Sequence, residues 1–222
     1  MERIRFYFDP RCPWCYLTSR WACRLAELGE TSIDWAVFCL EVVNRAEGVD
    51  PLTIDARSGP ALRTAMLLRE RSGRDAVGDL YHALGARVWE SELPIEVDDL
   101  DGIRDSLKDI GADPLLLDEA LADPGTWDAV VQEHEALVSR TGAFGVPTIV
   151  LDDGEGPAIF GPVIYDVPDD DKTLELWRHT IWLVRDGNFA ELKRGRGGLP
   201  ELPAMAYRVR QYAEREGQRA SG

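Results

Sequence analysis

The chain has 222 residues, 45% of them hydrophobic and 29% charged, with a formal net charge of −15. That is enough chain for one good core, or for one domain with a sizeable insertion. The acidic balance repels phosphate backbones and anionic lipid, which argues against nucleic acid and membranes as partners.

Ile4 to Phe8, "IRFYF", reads as a short buried strand that Asp9-Pro10 ends. The same stretch is too short and too quickly acidic for a signal-peptide core. No apolar run approaches the ~20 residues needed to cross a bilayer. The expected location is the cytoplasm, where thiols are held reduced. Around Pro13 a helix pattern begins, with Leu17, Trp21, Arg24, Leu25 and Leu28 at helical spacing and Gly29 as its stop. "SIDWAVFCLEVV" alternates in a way that predicts a second strand, covered on both faces, with Cys39 inside it. Strand, helix, strand in this order predicts a parallel pair joined by a crossover.

From about Gly59 to Gly142, helical periodicity takes over. Segments centred on Leu62–Arg69, Val77–Val88, Leu100–Ile110, Leu116–Leu121 and Trp127–Val138 predict helices without an intervening strand. Such a run predicts an inserted all-helical subdomain in an α/β fold. Strand signals return at "VPTIVLDD" and "PAIFGP", with Asp152-Asp153-Gly154 as hairpin chemistry between them. Leu174, Trp177, Ile181 and Val184 predict a further helix stopped by Gly187, and the tail after Tyr207 starts as a helix with a frayed end.

The chemistry centres on Cys12-Pro13-Trp14-Cys15, at the predicted start of the first helix. Pro13 falls near the first helical position, where its missing N–H costs nothing. Cysteines three apart share a helix face, so their sulfurs can meet in disulfide geometry. Unpaired N–H groups and the positive end of the helix dipole favour an anion at Cys12, which predicts a lowered thiol pKa and a largely ionised nucleophile. Two other readings stand beside this one. A structural zinc site needs four ligands, and here only Cys23, Cys39 and the scattered His82, His134 and His179 could complete it. Inert core cysteines are the third reading, since free cysteine is a common buried residue. The redox reading is preferred to both.

"FYFDPRCPWCYL", the helical middle, "GAFGVPTIVL" and "FGPV" together resemble the DsbA-like branch of the thioredoxin superfamily. The similarity is closer to the actinobacterial mycothiol-dependent reductases, a group that includes a mycothiol-dependent nitroreductase. It spans roughly residues 3 to 200 and adds "TSRW" (Thr18 to Trp21) and "ELKR" (Glu191 to Arg194). The resemblance implies a thioredoxin-like domain from residues 1–56 and 141–222, with residues 57–140 as the helical insertion. It also implies Cys12 as exposed nucleophile, Cys15 as resolving thiol and a cis Pro147. The Val146 backbone would then lie beside the sulfurs, pairing with a bound thiol or peptide. Mycothiol is implied as reducing cosubstrate, with no tightly bound cofactor and no metal. One departure stands out: Val146 occupies a position where the nitroreductase is expected to carry Thr.

Other residues admit two readings each. Asp9 either accepts a proton from Cys15 or caps the turn, the second being the commoner chemistry. Trp14 and Tyr16 either rim the substrate site or simply pack. Cys23 and Cys39 are expected to be inert core residues. Lys193, Arg194 and Arg196 either meet an anionic thiol or form a solvated turn, which is the preferred reading. The function expected is thiol–disulfide exchange on disulfides or small electrophilic and nitro substrates, with the direction of electron flow left open. The alternatives are a thiol-cofactor-dependent isomerase or transferase, of the chromene-carboxylate isomerase and kappa-transferase type, and a non-catalytic binding module. A homodimer is compatible with all three.

Overall fold

Strand β1 (Glu2–Phe8) forms the middle of the sheet, and it ends where Pro10 removes the next ladder donor. Helix α1 (Pro13–Glu27) follows and returns the chain to β2 (Thr31–Val37), which pairs parallel to β1 from Glu2↔Thr31 to Phe8↔Val37. Gly29, at φ +78°, makes the turn between them in a left-handed conformation that suits a residue without Cβ. The computed structural model describes the backbone of residues 1–220 and the side chains of residues 1–214.

The second strand is shorter than its pattern predicts. The ladder closes with Phe38 N–H donating to Phe8 O at 2.8 Å. Beyond it, Cys39 N–H is taken by His134 Nδ1 at 3.3 Å and Leu40 N–H by Asp9 Oδ2 at 2.7 Å. Side chains thus replace the strand partner that β1 cannot supply. Leu40–Val43 winds into the short helix α2, with Cys39 at its N-cap rather than inside a strand.

Helices α3 (Gly59–Ser72), α4 (Arg74–Gly85), α5 (Leu100–Asp109), α6 (Leu115–Ala122) and α7 (Gly125–Thr141) then follow without a strand. All five predicted helical segments are present. The pattern running to Val88 is split, however: α4 ends at Gly85 and Ala86–Glu90 continues as a π-helical turn. Gly85 explains part of the packing here, since a Cβ at this position would sit 2.1 Å from Cε2 of Tyr16. The glycine lets the aromatic ring lie against the helix backbone.

Strands β3 (Thr148–Val150) and β4 (Ala158–Phe160) are antiparallel, and the sheet order is β2-β1-β3-β4. The predicted hairpin turn is a wider loop, in which Asp152, Asp153 and Gly154 take φ values of 52°, 57° and 87°. Helix α8 (Asp170–Arg185) packs on α1 through an edge-to-face pair, Trp21 and Trp177, with centroids 5.8 Å apart. It stops at the Asp186 cap, ahead of Gly187. Helix α9 (Pro203–Ala220) closes the described chain; the frayed end expected of the tail lies outside the described residues.

An aromatic layer ties the sheet to α4. Phe6 and Phe8, on one face of β1, meet Trp35 of β2 at 5.3 and 6.3 Å. Phe8 also stacks on Tyr81 of α4 at 4.0 Å. Rings of this size supply much of a core's apolar burial, and offset or tilted pairs add to it.

Candidate active site

The turn after β1 builds the site. Asp9 accepts the Arg11 N–H at Oδ1, 2.9 Å away, and its carbonyl accepts the Cys12 N–H at 3.0 Å. Trp89 Nε1 clamps the same turn by donating to Pro10 O at 3.0 Å. Cys12 is the N-cap of α1, with Pro13 in the first turn, and its sulfur accepts the Cys15 N–H at 3.4 Å. Both cysteines carry free thiols. The Cys12 thiol donates to Val146 O at 3.7 Å, and the Cys15 thiol to Tyr7 O at 3.7 Å. Cys12 is half-buried and Cys15 fully buried.

Residue 146 thus comes to the dithiol from the segment leading into β3, the strand beside β1. The Val146–Pro147 peptide is cis, and so is Gly161–Pro162, which the sequence pattern does not reveal. The neighbouring strands lock this side together: Gly161 N–H donates to Pro147 O at 2.8 Å, and Thr18 Oγ1 of α1 donates to Pro162 O at 2.8 Å. "TSRW" and "FGPV" are therefore in direct contact.

The electrostatics correct one expectation. The helix start does act on Cys12, because the N–H groups of Cys15 and Trp14 and the charge of Arg196 all favour its thiolate. Burial outweighs them, helped by the negative charge of Asp9, and pushes the thiol up to about 11. In this covered, reduced arrangement Cys12 is a thiol rather than a thiolate. The helix start is legible in the sequence; the cover is not. Burial also pushes Cys15 well up, and the nearby Cys12 and the charge of Asp9 add to the shift against the pull of the Tyr81 hydroxyl and the Asp9 backbone N–H.

Asp9 is fully buried, and burial raises its carboxyl to about 6 against the pull of Leu40 N–H, Arg11 N–H and Ser58. Its Oδ2 accepts from Leu40 N–H and lies 3.2 Å from Ser58 Oγ, which is also 3.3 Å from Glu41 Oε2. Asp9, Cys39 and Glu41 bring potential ligand atoms within 4.8 Å of one another. The backbone N–H groups and Ser58 already occupy the Asp9 oxygens, so the donor set suits a hydrogen-bond network better than a cation.

The residues with two readings now separate. Trp14 is half-buried and meets Tyr165 edge-on at 5.2 Å. Arg196 lies 5.1 Å over the Trp14 ring, so this member of the basic cluster reaches the site although its side chain is exposed, as are Lys193 and Arg194. Tyr165 holds that segment, with its Oη accepting Gly197 N–H at 2.8 Å and its carbonyl accepting Glu201 N–H at 2.7 Å. Tyr16 turns away from the mouth and donates to Glu90 Oε1 at 2.8 Å. Cys23 lies 3.7 Å from His82 Nε2, away from the pair, and burial raises its thiol to about 11. Cys23 is only partly buried, packed against the core rather than in it, whereas Cys39 is fully buried and its thiol is raised to about 12.

A parallel β–α–β start, a dithiol at the helix N-cap and an opposing backbone carbonyl define a thiol–disulfide oxidoreductase of the DsbA and thioredoxin type. Residues 11–194 match the family described as Rv2466c-like, mycothiol-dependent nitroreductase Rv2466c, and the chain belongs to that family. It is 34% identical over 228 residues to the uncharacterised protein Rv2286c of Mycobacterium tuberculosis, covering 96% of this chain and 90% of that one. Among solved structures it is similar to the cytosolic disulfide reductase DsbM of Pseudomonas aeruginosa, with TM-score 0.55, 16% identity, and coverage of 81% and 99% of the two chains. It is also similar to a 2-hydroxychromene-2-carboxylate isomerase, with TM-score 0.56, 19% identity, and coverage of 82% and 96%. At these identities the structures share the fold alone. Among the described residues no helix is long and apolar enough to cross a membrane.

Proposed function

We propose that Cys12 attacks, Cys15 resolves, and mycothiol returns the couple to its dithiol form, with disulfides or small electrophilic or nitro compounds as oxidising substrates. The observation that carries this reading is the difference between the sulfurs. Cys12 is half-buried at the helix N-cap while Cys15 is sealed beneath it, so an incoming sulfur meets Cys12 first. The family's description supplies mycothiol and nitro reduction as the thiol and a substrate class. A related fold has been solved as DsbM with GSH, which fits a small-thiol site in this architecture.

The substrate docks between Trp14, Pro13 and the Val146-Pro147 segment, where the Val146 carbonyl pairs with a bound thiol or peptide in place of the Cys12 thiol. Asp9 accepts the proton that Cys15 releases, because a buried carboxyl near 6 is poised for it. Residues 1–56 and 141–222 act as the thioredoxin-like domain, and 57–140 as the helical insertion that covers the dithiol. The protein works in the cytoplasm.

The test is turnover by Cys12→Ser with mycothiol and a disulfide or nitro probe. The proposal expects activity to vanish. Retention of the wild-type rate would sink it. Equal rates with mycothiol and unrelated thiols would leave the dithiol chemistry and remove mycothiol from the reading.

A further inference from the structure

Tyr81 belongs to α4, yet its ring is wedged into the start of α1. It stacks on Phe8 at 4.0 Å and stands edge-on to Tyr16 at 5.9 Å. Phe8 immediately precedes Asp9 and Tyr16 immediately follows Cys15, so the ring touches both ends of the dithiol turn. Tyr81 is 2% exposed, and its hydroxyl has no partner in hydrogen-bonding geometry among the described residues. Buried hydroxyls are normally paired, and an orphan in a native core calls for an explanation.

The polar side chains facing this hydroxyl are Cys15 and Ser19. Ser19 is already committed, donating to Tyr16 O at 2.7 Å and lying 3.2 Å from His82 Nε2. The Cys15 thiol directs its proton to Tyr7 O, so its sulfur lone pairs remain available as acceptors. A thiol sulfur accepts weakly, whereas a thiolate is a strong acceptor and charge-assisted bonds are the strong ones. The hydroxyl therefore gains a strong acceptor when Cys15 is ionised.

We propose that the Tyr81 hydroxyl is the hydrogen-bond donor that stabilises the Cys15 sulfur when it carries negative charge. This rests on the dithiol reading above and adds to it a group from the helical segment. In the reductive direction, a small thiolate attacks Cys12 Sγ. The new S–S bond forms, the Cys12–Cys15 bond breaks, and the electron pair stays on Cys15 Sγ, where the phenol donates without giving up its proton. A second thiolate then attacks the mixed disulfide, releasing the small disulfide and the Cys12 thiolate, and solvent supplies both protons. In the opposite direction the Cys15 thiolate attacks the mixed disulfide on Cys12 and expels the small thiolate. The other titratable groups around this centre are Asp9 and Cys12 ahead of α1, His82 on the same helix as Tyr81, and Glu90, which holds Tyr16. The charge of Asp9 opposes ionisation of Cys15, while the Asp9 backbone N–H and the Tyr81 hydroxyl favour it.

Tyr81→Phe removes the oxygen and keeps the ring. With 2-mercaptoethanol as the thiol, reduction of the Cys12–Cys15 disulfide is expected to slow about tenfold. The pH midpoint for Cys15 attack on the Cys12 mixed disulfide is expected to move up by about one unit. The thermal midpoint is expected to hold or rise, since an unpaired hydroxyl contributes nothing to lose. A wild-type rate with an unmoved midpoint would overturn the proposal. So would a large fall in thermal midpoint, which would mark the hydroxyl as structural. If Cys12→Ser keeps its turnover, the dithiol reading itself falls. If Cys12→Ser is dead and Tyr81→Phe behaves as wild type, only the Tyr81 role falls.

Discussion

The β1–α1 unit and the α3–α7 segment contribute to the same site in opposite ways. The first carries its chemistry in contiguous residues: Asp9 sets the turn, Cys12 caps the helix and Cys15 lies one turn in. The second carries no sulfur on the pair, yet it supplies Tyr81, the Trp89 clamp on Pro10, and the His134 acceptor that ends β2. A redox centre can be local in sequence while its burial, and hence its proton affinity, is set by residues far along the chain. Helix-start chemistry alone pulls the Cys12 thiol down; the cover pushes it to about 11.

The comparison can be broken most sharply at Cys12. Replacing it with Ser removes all turnover if the local unit holds the chemistry, whereas a surviving activity would move the chemistry elsewhere. Next is the seam between the two regions. A methyl group at Gly85 collides with Tyr16, so Gly85→Ala is expected to cost about 1–3 kcal/mol by overpacking. A lowered thermal midpoint checks this. Full stability would mean that the seam is looser than it looks.

Acid stability separates the regions further. Burial lowers His82 and His134 from 6.5 to about 4, so both stay neutral in the fold while the unfolded chain protonates them. Stability from these two groups is present above about 6.5 and lost as pH falls toward 4. Asp9 acts in reverse: its raised pKa lets the folded state take up a proton near 6, which offsets part of that loss. Over this window the unfolded chain binds more protons through these three groups, so unfolding free energy is expected to rise with pH and to be lower at pH 5 than at pH 7. Denaturant titrations at pH 7 and 5 check the sign, and His134→Gln is expected to flatten the slope.

The smallest expected effect is at Arg196. Its charge favours the Cys12 thiolate from an exposed position. Arg196→Ala is therefore expected to raise the pH midpoint for Cys12 alkylation by less than about one unit, and less still at high salt. An unchanged midpoint at low salt would make Arg196 a packing partner of Trp14 only.

Much of this was legible in the residues. The β–α–β start, the five helical segments and the later strands follow from period and breakers, because each signal is local. What escaped depends on long-range partners. Cys39 looked like a strand residue because the pattern cannot show that Asp9 and His134 take the next N–H groups. Tyr81 sat on an apolar helical face with Val77, Leu80 and Leu84, and nothing local separates a core tyrosine from one aimed at a sulfur. Arg196 looked like a solvated charge because its contact with Trp14 spans most of the chain.

The most direct test of the central claim traps the first covalent step. Cys15→Ser is incubated with mycothiol disulfide, digested without reductant, and mapped by mass spectrometry. The account predicts one mycothiol adduct, on the peptide carrying Cys12. An adduct on Cys23 or Cys39 instead, or an unmodified Cys12 peptide, would contradict it.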